Sequence, residues 1–403
     1  MPNRSMARNI FLLATCQAVG QACNTMMFTA TALAVSGVLK IPEFATLPVT
    51  MQHLGVMLSV FPAAALMQRQ GRKLGFRLGS VFGMTGGAVC AIGLVYSSLL
   101  IMCLGGLILG YAVANLQMYR FAAVELAEGP LRAKAISWVT AGGVAAGIIG
   151  PSLARLTWDQ WIPLYSATYA AMIVLHMIVF TVMGFIKFPP PPKRVATNDK
   201  SGDARSLWEI ASQPNYAVAV IAAMISFGTM SFLMSASPLA IVGCGLPHTE
   251  AHWVIFMHVM GMFVPSFFTG NLIQRFGVLN IMLVGAAILF GGIAADLGGL
   301  TVWHFRAGLT LNGLGWNFMF VGATTLVSTT YRPSERGKAQ ALNDFLVFGT
   351  TTTCSLLAGI LQHVLGWVPL NWLSVILVSI SVVAIGWLRV RPQPVTAPAV
   401  SPS

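Results

Sequence analysis

Acidic side chains are scarce in this chain: there are eleven Asp and Glu in 403 residues, and charged residues of both signs make up only 8%. A soluble domain carries roughly 25%, so an ordinary water-exposed surface is excluded. No Gly-Lys-Ser/Thr phosphate loop occurs, which leaves no engine for ATP-driven work. The six cysteines (Cys16, Cys23, Cys90, Cys103, Cys244 and Cys354) show neither metal-ligand nor redox spacing and read as small packing residues. Polar stretches are short apart from one central segment, so no soluble catalytic domain fits. The expectation is a protein that is not an enzyme and holds no cofactor or metal.

What the chain has instead is apolar length. Hydrophobic residues make up 56% of it, in runs long enough to cross a hydrocarbon layer of ~30 Å, which takes about 20 helical residues. Twelve spans are expected, at 9–37, 47–67, 74–96, 98–124, 134–157, 161–186, 214–243, 250–273, 278–297, 299–329, 338–362 and 367–389. A barrel would instead alternate polar and apolar residues over ~10-residue strands. Arg4 and Arg8 before the first run resemble a signal peptide with Ala32-Leu33-Ala34 as its cleavage site. The run is too long for a signal core, and Gln17, Gln21 and Asn24 interrupt it, so it reads as a retained span.

The chain also repeats itself. Gln68-Arg69-Gln70-Gly71 returns as Gln274-Arg275-Phe276-Gly277, Arg132-Ala133-Lys134-Ala135 as Arg336-Gly337-Lys338-Ala339, and Thr25-Met26-Met27-Phe28 as Thr229-Met230-Ser231-Phe232. One near-constant offset implies two related halves, the plan of a carrier with its substrate between parallel repeats. The expected division is a six-helix bundle over 1–186, a cytoplasmic linker over 187–213, a second bundle over 214–391 and a disordered tail over 392–403. The linker opens on Pro189-Pro190-Pro191-Pro192 and continues in mixed charge, with Trp208 and Glu209 starting a short surface helix.

The net charge of +12 invites a nucleic-acid partner, but its distribution argues against one. With both termini in the cytoplasm, every Lys and Arg except Lys40, Arg155 and Arg306 falls on the inner side. That is the positive-inside pattern of a multi-pass protein in a bacterial inner membrane. The basic charge then meets lipid rather than nucleic acid, and a monomer is expected.

The segment Ala64-Ala65-Leu66-Met67-Gln68-Arg69-Gln70-Gly71-Arg72-Lys73, with its echo Gly270-Asn271-Leu272-Ile273-Gln274-Arg275-Phe276-Gly277, resembles the signature loop of the major facilitator superfamily. The resemblance covers residues 9–390 and implies an all-α membrane protein of twelve transmembrane helices in two six-helix bundles. It implies a cytoplasmic gate at Gln68, Arg69, Arg72, Gln274 and Arg275. The family has an Asp where this chain has Gln68 and Gln274, so this latch lacks a charge. Gly142-Gly143-Val144-Ala145-Ala146-Gly147-Ile148-Ile149-Gly150-Pro151 resembles the glycine-proline motif of drug exporters, with plain close packing as the alternative role for Gly150 and Pro151. Gly106 stands where those exporters carry an embedded Arg. Tyr119-Arg120-Phe121-Ala122-Ala123, the stretch 313–322 and the stretch 339–345 resemble a proteobacterial branch that includes riboflavin transporters.

By that resemblance, spans 1, 4, 7 and 10 line the cavity. They offer Gln17, Gln21, Asn24, Asn115, Gln117, Tyr119, Thr229, Asn312, Trp316 and Asn317. The three on span 1 share one helical face. Neutral amides beside an aromatic suit a polar, uncharged, planar solute, and hydrogen bonding between helices remains the other reading. Charges inside a membrane mark gates or proton paths. Arg120 and Asp344 are therefore read as a latch between the halves, with two separate pairs, Arg120 with Glu125 or Glu128 and Asp344 with Lys338, as the alternative; Asp344, as the one acid well inside a span, is read as the proton-coupling candidate. Asp296 and Glu250 read as outer surface acids. His53 and His258 occupy matching places and could relay protons or serve packing. His248, Glu250 and His252 invite a metal reading that their differing depths disfavour.

The functional expectation is a secondary transporter that moves a small organic solute by alternating access, with protons as possible partners. A riboflavin-like uptake permease and a drug or metabolite exporter stand as alternatives. A non-transporting receptor or scaffold is the different-class reading.

Overall fold

The computed structural model describes residues 4–127, 131–189, 205–332 and 335–391. The expected tail (392–403), most of the linker (190–204) and Glu128 lie outside the described residues. The helices are α1 (Arg4–Ala34), α2 (Leu47–Gln70), α3 (Arg72–Val95), α4 (Leu99–Gln117), α5 (Tyr119–Leu126), α6 (Leu131–Thr157), α7 (Ser166–Phe185) and α8 (Leu207–Ala211). The second half has α9 (Pro214–Gly243), α10 (His248–Phe263), α11 (Ser266–Phe276), α12 (Val278–Leu297), α13 (Val302–Ser328), α14 (Arg336–Leu365) and α15 (Trp367–Val390). No strand occurs among the described residues.

Nine of these helices are individually long and apolar enough to cross a membrane, and the pair α10–α11 makes a tenth crossing, bent by 41°. The more polar α6 and α13, each of 27 residues, are roughly 40 Å long and complete twelve. Two expected continuous spans are broken. Span 8 bends after Phe263 because Pro265 has no N–H to continue the ladder. Span 4 breaks at Met118, whose N–H reaches the Asn115 carbonyl at 3.0 Å. One turn earlier, the Asn115 amide donates back to the Tyr111 carbonyl at 2.7 Å, a competition that bends helices. Span 7's short surface prelude is present as α8, capped by Ser206 and Glu209 in a reciprocal box.

The repeat is visible in backbone geometry. Gly71 (φ 91°, ψ 159°) joins α2 to α3, and Gly277 (φ 84°, ψ 148°) joins α11 to α12. A side chain at either φ would be strained, so the shared glycine sets the same tight reversal in each half. Within the halves, packing is close. A Cβ on Gly55 of α2 would sit 3.0 Å from Gly110 Cα of α4. Without a hydrophobic drive between helices in lipid, such small-residue contact supplies much of the cohesion. Between the halves, α2 meets α14 and α6 meets α10.

A clip holds the entrance to the second half. Arg205 donates from its backbone N–H and Nε to Glu335 Oε1, each at 3.0 Å, and from Nη2 to Oε2 at 2.7 Å. The Arg332 N–H adds a bond to Oε2 at 2.9 Å, and Arg205 Nη2 also reaches the Thr330 carbonyl at 3.0 Å. The Arg205 bonds first, and then the Arg332 N–H, hold the Glu335 carboxyl down at about 2. A depressed folded value adds stability above the unfolded value of ~4.3, and that contribution fades as pH falls toward about 2. Thermal unfolding of the purified protein between about pH 6 and pH 3 is expected to lose part of its acid sensitivity in Glu335→Gln. An unchanged acid slope in that variant would remove the clip from the account.

Candidate functional site

A cavity lies between the halves, and its two walls differ in chemistry. The first half presents amides: Gln17, Gln21 and Asn24 from α1, Gln52 from α2 and Gln117 from the end of α4. His53 and Arg120 complete this polar wall. The second half presents aromatic rings. Trp316 and Phe320, one turn apart on α13, stack with centroids 5.1 Å apart and planes 12° from parallel. Phe227 of α9 meets both edge-on, at 5.5 and 5.2 Å, and reaches Phe348 of α14 at 5.7 Å.

Several polar atoms at this cavity have no partner among the described residues: Gln52 Oε1, His53 Nδ1 and Trp316 Nε1. Buried polar atoms left unpaired are costly, and a bound solute or water can satisfy them. The cavity holds about 170 Å³, below the ~300–1,000 Å³ of pockets that enclose drug-sized ligands. A substrate of that size must therefore part the walls further.

The cavity is closed at the end holding residues 35–46, 157–166 and 244–250. There, Thr46 Oγ1 donates to the Ser355 carbonyl at 2.8 Å and Thr50 Oγ1 to Ser355 Oγ at 3.2 Å. Tyr165 Oη lies 3.5 Å from His248 Nδ1, and Trp158 stacks on the His248 ring at 5.7 Å. Gly143 and Gly147 of α6 leave room for Phe263, Val259 and Met260 of the α10 helix. Gly150 instead faces Thr25 and Ala22 of α1. Gly150 thus packs within the first half, while Pro151 borders the space between α6 and α10.

Some expected residues lie away from the cavity. Asn115 turns to α3, where a Cβ on Gly79 would meet its side chain. Tyr119 packs edge-on against Phe76 at 4.7 Å. Thr229 and Asn312 are buried inside the second half. Asn317 borders the cavity, but its amide is engaged: Nδ2 donates to the Met262 carbonyl and Ser266 Oγ, both at 2.7 Å, and Oδ1 accepts from Thr269 at 2.6 Å. It braces the α10–α11 bend. His258 bonds the Leu309 carbonyl at 2.7 Å, so the two matching histidines have parted roles.

The charged candidates also sort. Gln68, Arg69, Gln274 and Arg275 are exposed at the turns. Arg72 grips Glu125 at 2.7 and 3.2 Å. Asp344 accepts from Asn343 at 3.0 Å. Asp344 and Arg120 feel each other's charge across the halves. Asp296 is a correction: it is 1% exposed, and neither carboxylate oxygen has a hydrogen-bond partner among the described residues. The glycine at position 308 makes room for it on α13. Asp296 is thus a buried acid near the end of α12, not a surface one. Glu250 is half-buried and tied to Arg306 at 2.6 Å, which takes it from His248 and His252.

Two duplicated six-helix halves closing on a central cavity define a recognisable architecture, and comparison with known proteins agrees. The family model of the Major Facilitator Superfamily matches residues 11–246 and 219–402. The chain belongs to the major facilitator superfamily. It is a multi-pass membrane protein and a secondary transporter for a small solute, working by alternating access. The riboflavin transporter RfnT of Brucella anthropi is 38% identical over 394 residues, covering 97% of this chain and 98% of that protein. The uncharacterized MFS-type transporter YdeG of Bacillus subtilis is 26% identical, covering 95% and 92%. Crystal structures of the nucleoside transporter NupG and of a D-xylose-proton symporter share the fold, each at 14% identity. Their TM-scores are 0.70 and 0.72, covering 94% and 96% of this chain and 99% and 98% of theirs.

For this superfamily member, the closed seam sets a direct expectation. A Cβ on Gly359 of α14 would fall 3.1–3.2 Å from the Thr46 methyl and Cβ. Gly359→Val is therefore expected to wedge the seam and shift the population toward the state open on that side. Spin-label distances between the seam ends of α2 and α14 should lengthen. Distances equal to wild type would mean that this contact does not hold the closed state.

Proposed function

We propose that this transporter carries riboflavin, or a solute with the same fused-ring system, inward across a bacterial inner membrane, with both termini cytoplasmic. The observation that carries this reading is the pairing of a ring-stacking wall with an amide wall. A flavin is a flat tricycle whose one edge alternates hydrogen-bond donors and acceptors. Its face suits Trp316, Phe320 and Phe227, with stacking worth ~0.5–1.5 kcal/mol per ring pair. Its edge and its polyhydroxyl chain suit Gln17, Gln21, Asn24, Gln52 and Gln117, each amide both donating and accepting. The likeness to RfnT supports the same substrate class. That the sequence puts all but three Lys and Arg in segments on one and the same side of the expected spans supports the orientation.

Arg120 and Asp344 are the proposed latch of the opposite face. The two already feel each other's charge, and closing that side would draw them together. Breaking such a pair when the gate opens costs energy that substrate binding must offset. Protons are the proposed coupling ion.

The test is riboflavin uptake by cells unable to make or import the vitamin. Expression of this chain should restore uptake. Trp316→Ala should lower it roughly 2- to 10-fold at low substrate through lost stacking alone, while Trp316→Phe keeps most of it. Arg120→Asp combined with Asp344→Arg should recover transport that either change alone removes. Uptake that ignores Trp316, or a well-inserted protein that never carries flavin, would refute the substrate; a charge exchange that recovers nothing would refute the latch.

A further inference from the structure

A second cavity of about 430 Å³ opens sideways between α6 of the first half and α10 of the second. Its chemistry changes with depth. Arg155 stands in the last turn of α6, and His252 lies just past the first turn of α10, so both sit near the membrane surface. Ile148 precedes Arg155 by two turns, roughly 10 Å deeper. Phe256 follows His252 by one turn, roughly 6 Å deeper. The two helices run in opposite directions, yet both place the polar group outside and the apolar group inside.

The polar end is built and unsatisfied. His252 is 3% exposed, and neither ring nitrogen bonds a described protein group. Arg155 rests its guanidinium over the Trp253 ring at 5.9 Å and forms no ion pair among the described residues. No acid lines the groove. The apolar end, by contrast, leaves Ile148 exposed to the bilayer, with Leu156 exposed at the rim beside Arg155 and Trp253 half-exposed at the interface depth where tryptophan concentrates. A cation and an imidazole above apolar walls complement a molecule with an anionic head and a hydrocarbon tail. A free anion would use only the upper part. A cationic amphiphile would be repelled by Arg155.

We propose that this groove binds the phosphate and one acyl chain of an anionic glycerophospholipid of the outer-facing leaflet. The phosphate oxygens accept from Arg155 and His252, and the chain passes Leu156 at the rim and lies along Ile148 and Phe256. The groove's walls come from opposite halves on the closed side of the carrier, so the lipid holds that seam shut. By linkage it favours the described state over the one in which the halves part there. This inference does not depend on the identity of the transported solute.

The experiment is thermal unfolding of the purified full chain in detergent, titrated with phosphatidylglycerol, with diacylglycerol of the same chains, and with inorganic phosphate. Phosphatidylglycerol is expected to raise Tm saturably by a few degrees, and the other two far less. Arg155→Gln should weaken the apparent phosphatidylglycerol affinity about fivefold or more, the loss of one charge-assisted bond. Ile148→Trp, which fills an exposed wall and leaves the core intact, should abolish the saturable shift. Equal stabilisation by diacylglycerol, saturation by phosphate alone, or shifts unchanged in both variants would each overturn the proposal.

Discussion

An amide inside a hydrocarbon layer must find a partner or water, and that constraint organises this molecule. Gln17, Gln21 and Asn24 share one face of α1, and Gln52 and Gln117 join them from α2 and α4. Neither half supplies enough partners: Gln52 Oε1 stays unbonded among the described residues. The cost is tolerable only where a cavity lets solvent or solute in. The need for wet space between the halves forces the two bundles to meet at the rim of a cavity rather than along a continuous seam. The rocking of a transporter then follows from where the polar groups stand.

Closure on one side uses the opposite device. At the rim, small residues let backbones approach, and short hydroxyls bridge what remains. Gly359 accepts Thr46, Gly143 and Gly147 accept the α10 helix, and Ser355 takes bonds from Thr46 and Thr50. These bonds are each worth about 1 kcal/mol net, so the closed state is held by margins that a bound solute or lipid can shift. The amphipathic groove at Arg155 and His252 adds a contribution from the bilayer at the same rim.

The fold was largely legible in the chain, because span length and the duplicated glycine turns each rest on strong physical costs. The breaks inside spans 4 and 8 were harder. Pro265 gave a local reason for one, whereas the bend at Met118 follows from a side-chain bond by Asn115 that only packing reveals. At the site, the i, i+4, i+7 row on α1 was readable as one face. Phe227, Phe320 and Phe348 were not, since an aromatic ring facing a cavity and one facing lipid look alike in sequence. The spacing of Trp316 and Phe320 was the available signal. Asn317 shows the limit: a polar group engaged within one bundle has the same letter as one awaiting a substrate. Asp296 misled in the other direction: its place near a helix end suggested solvent, while the glycine opposite it lets α13 cover it.

The central claim is that the amide wall meets water from each side of the membrane in turn. A single cysteine at Gln21, in a chain whose six native cysteines are replaced, tests it with a membrane-impermeant thiol reagent applied to either face of oriented vesicles. The account predicts labelling from both faces, with riboflavin slowing the reaction from each. Labelling from one face alone, or from neither, would contradict it.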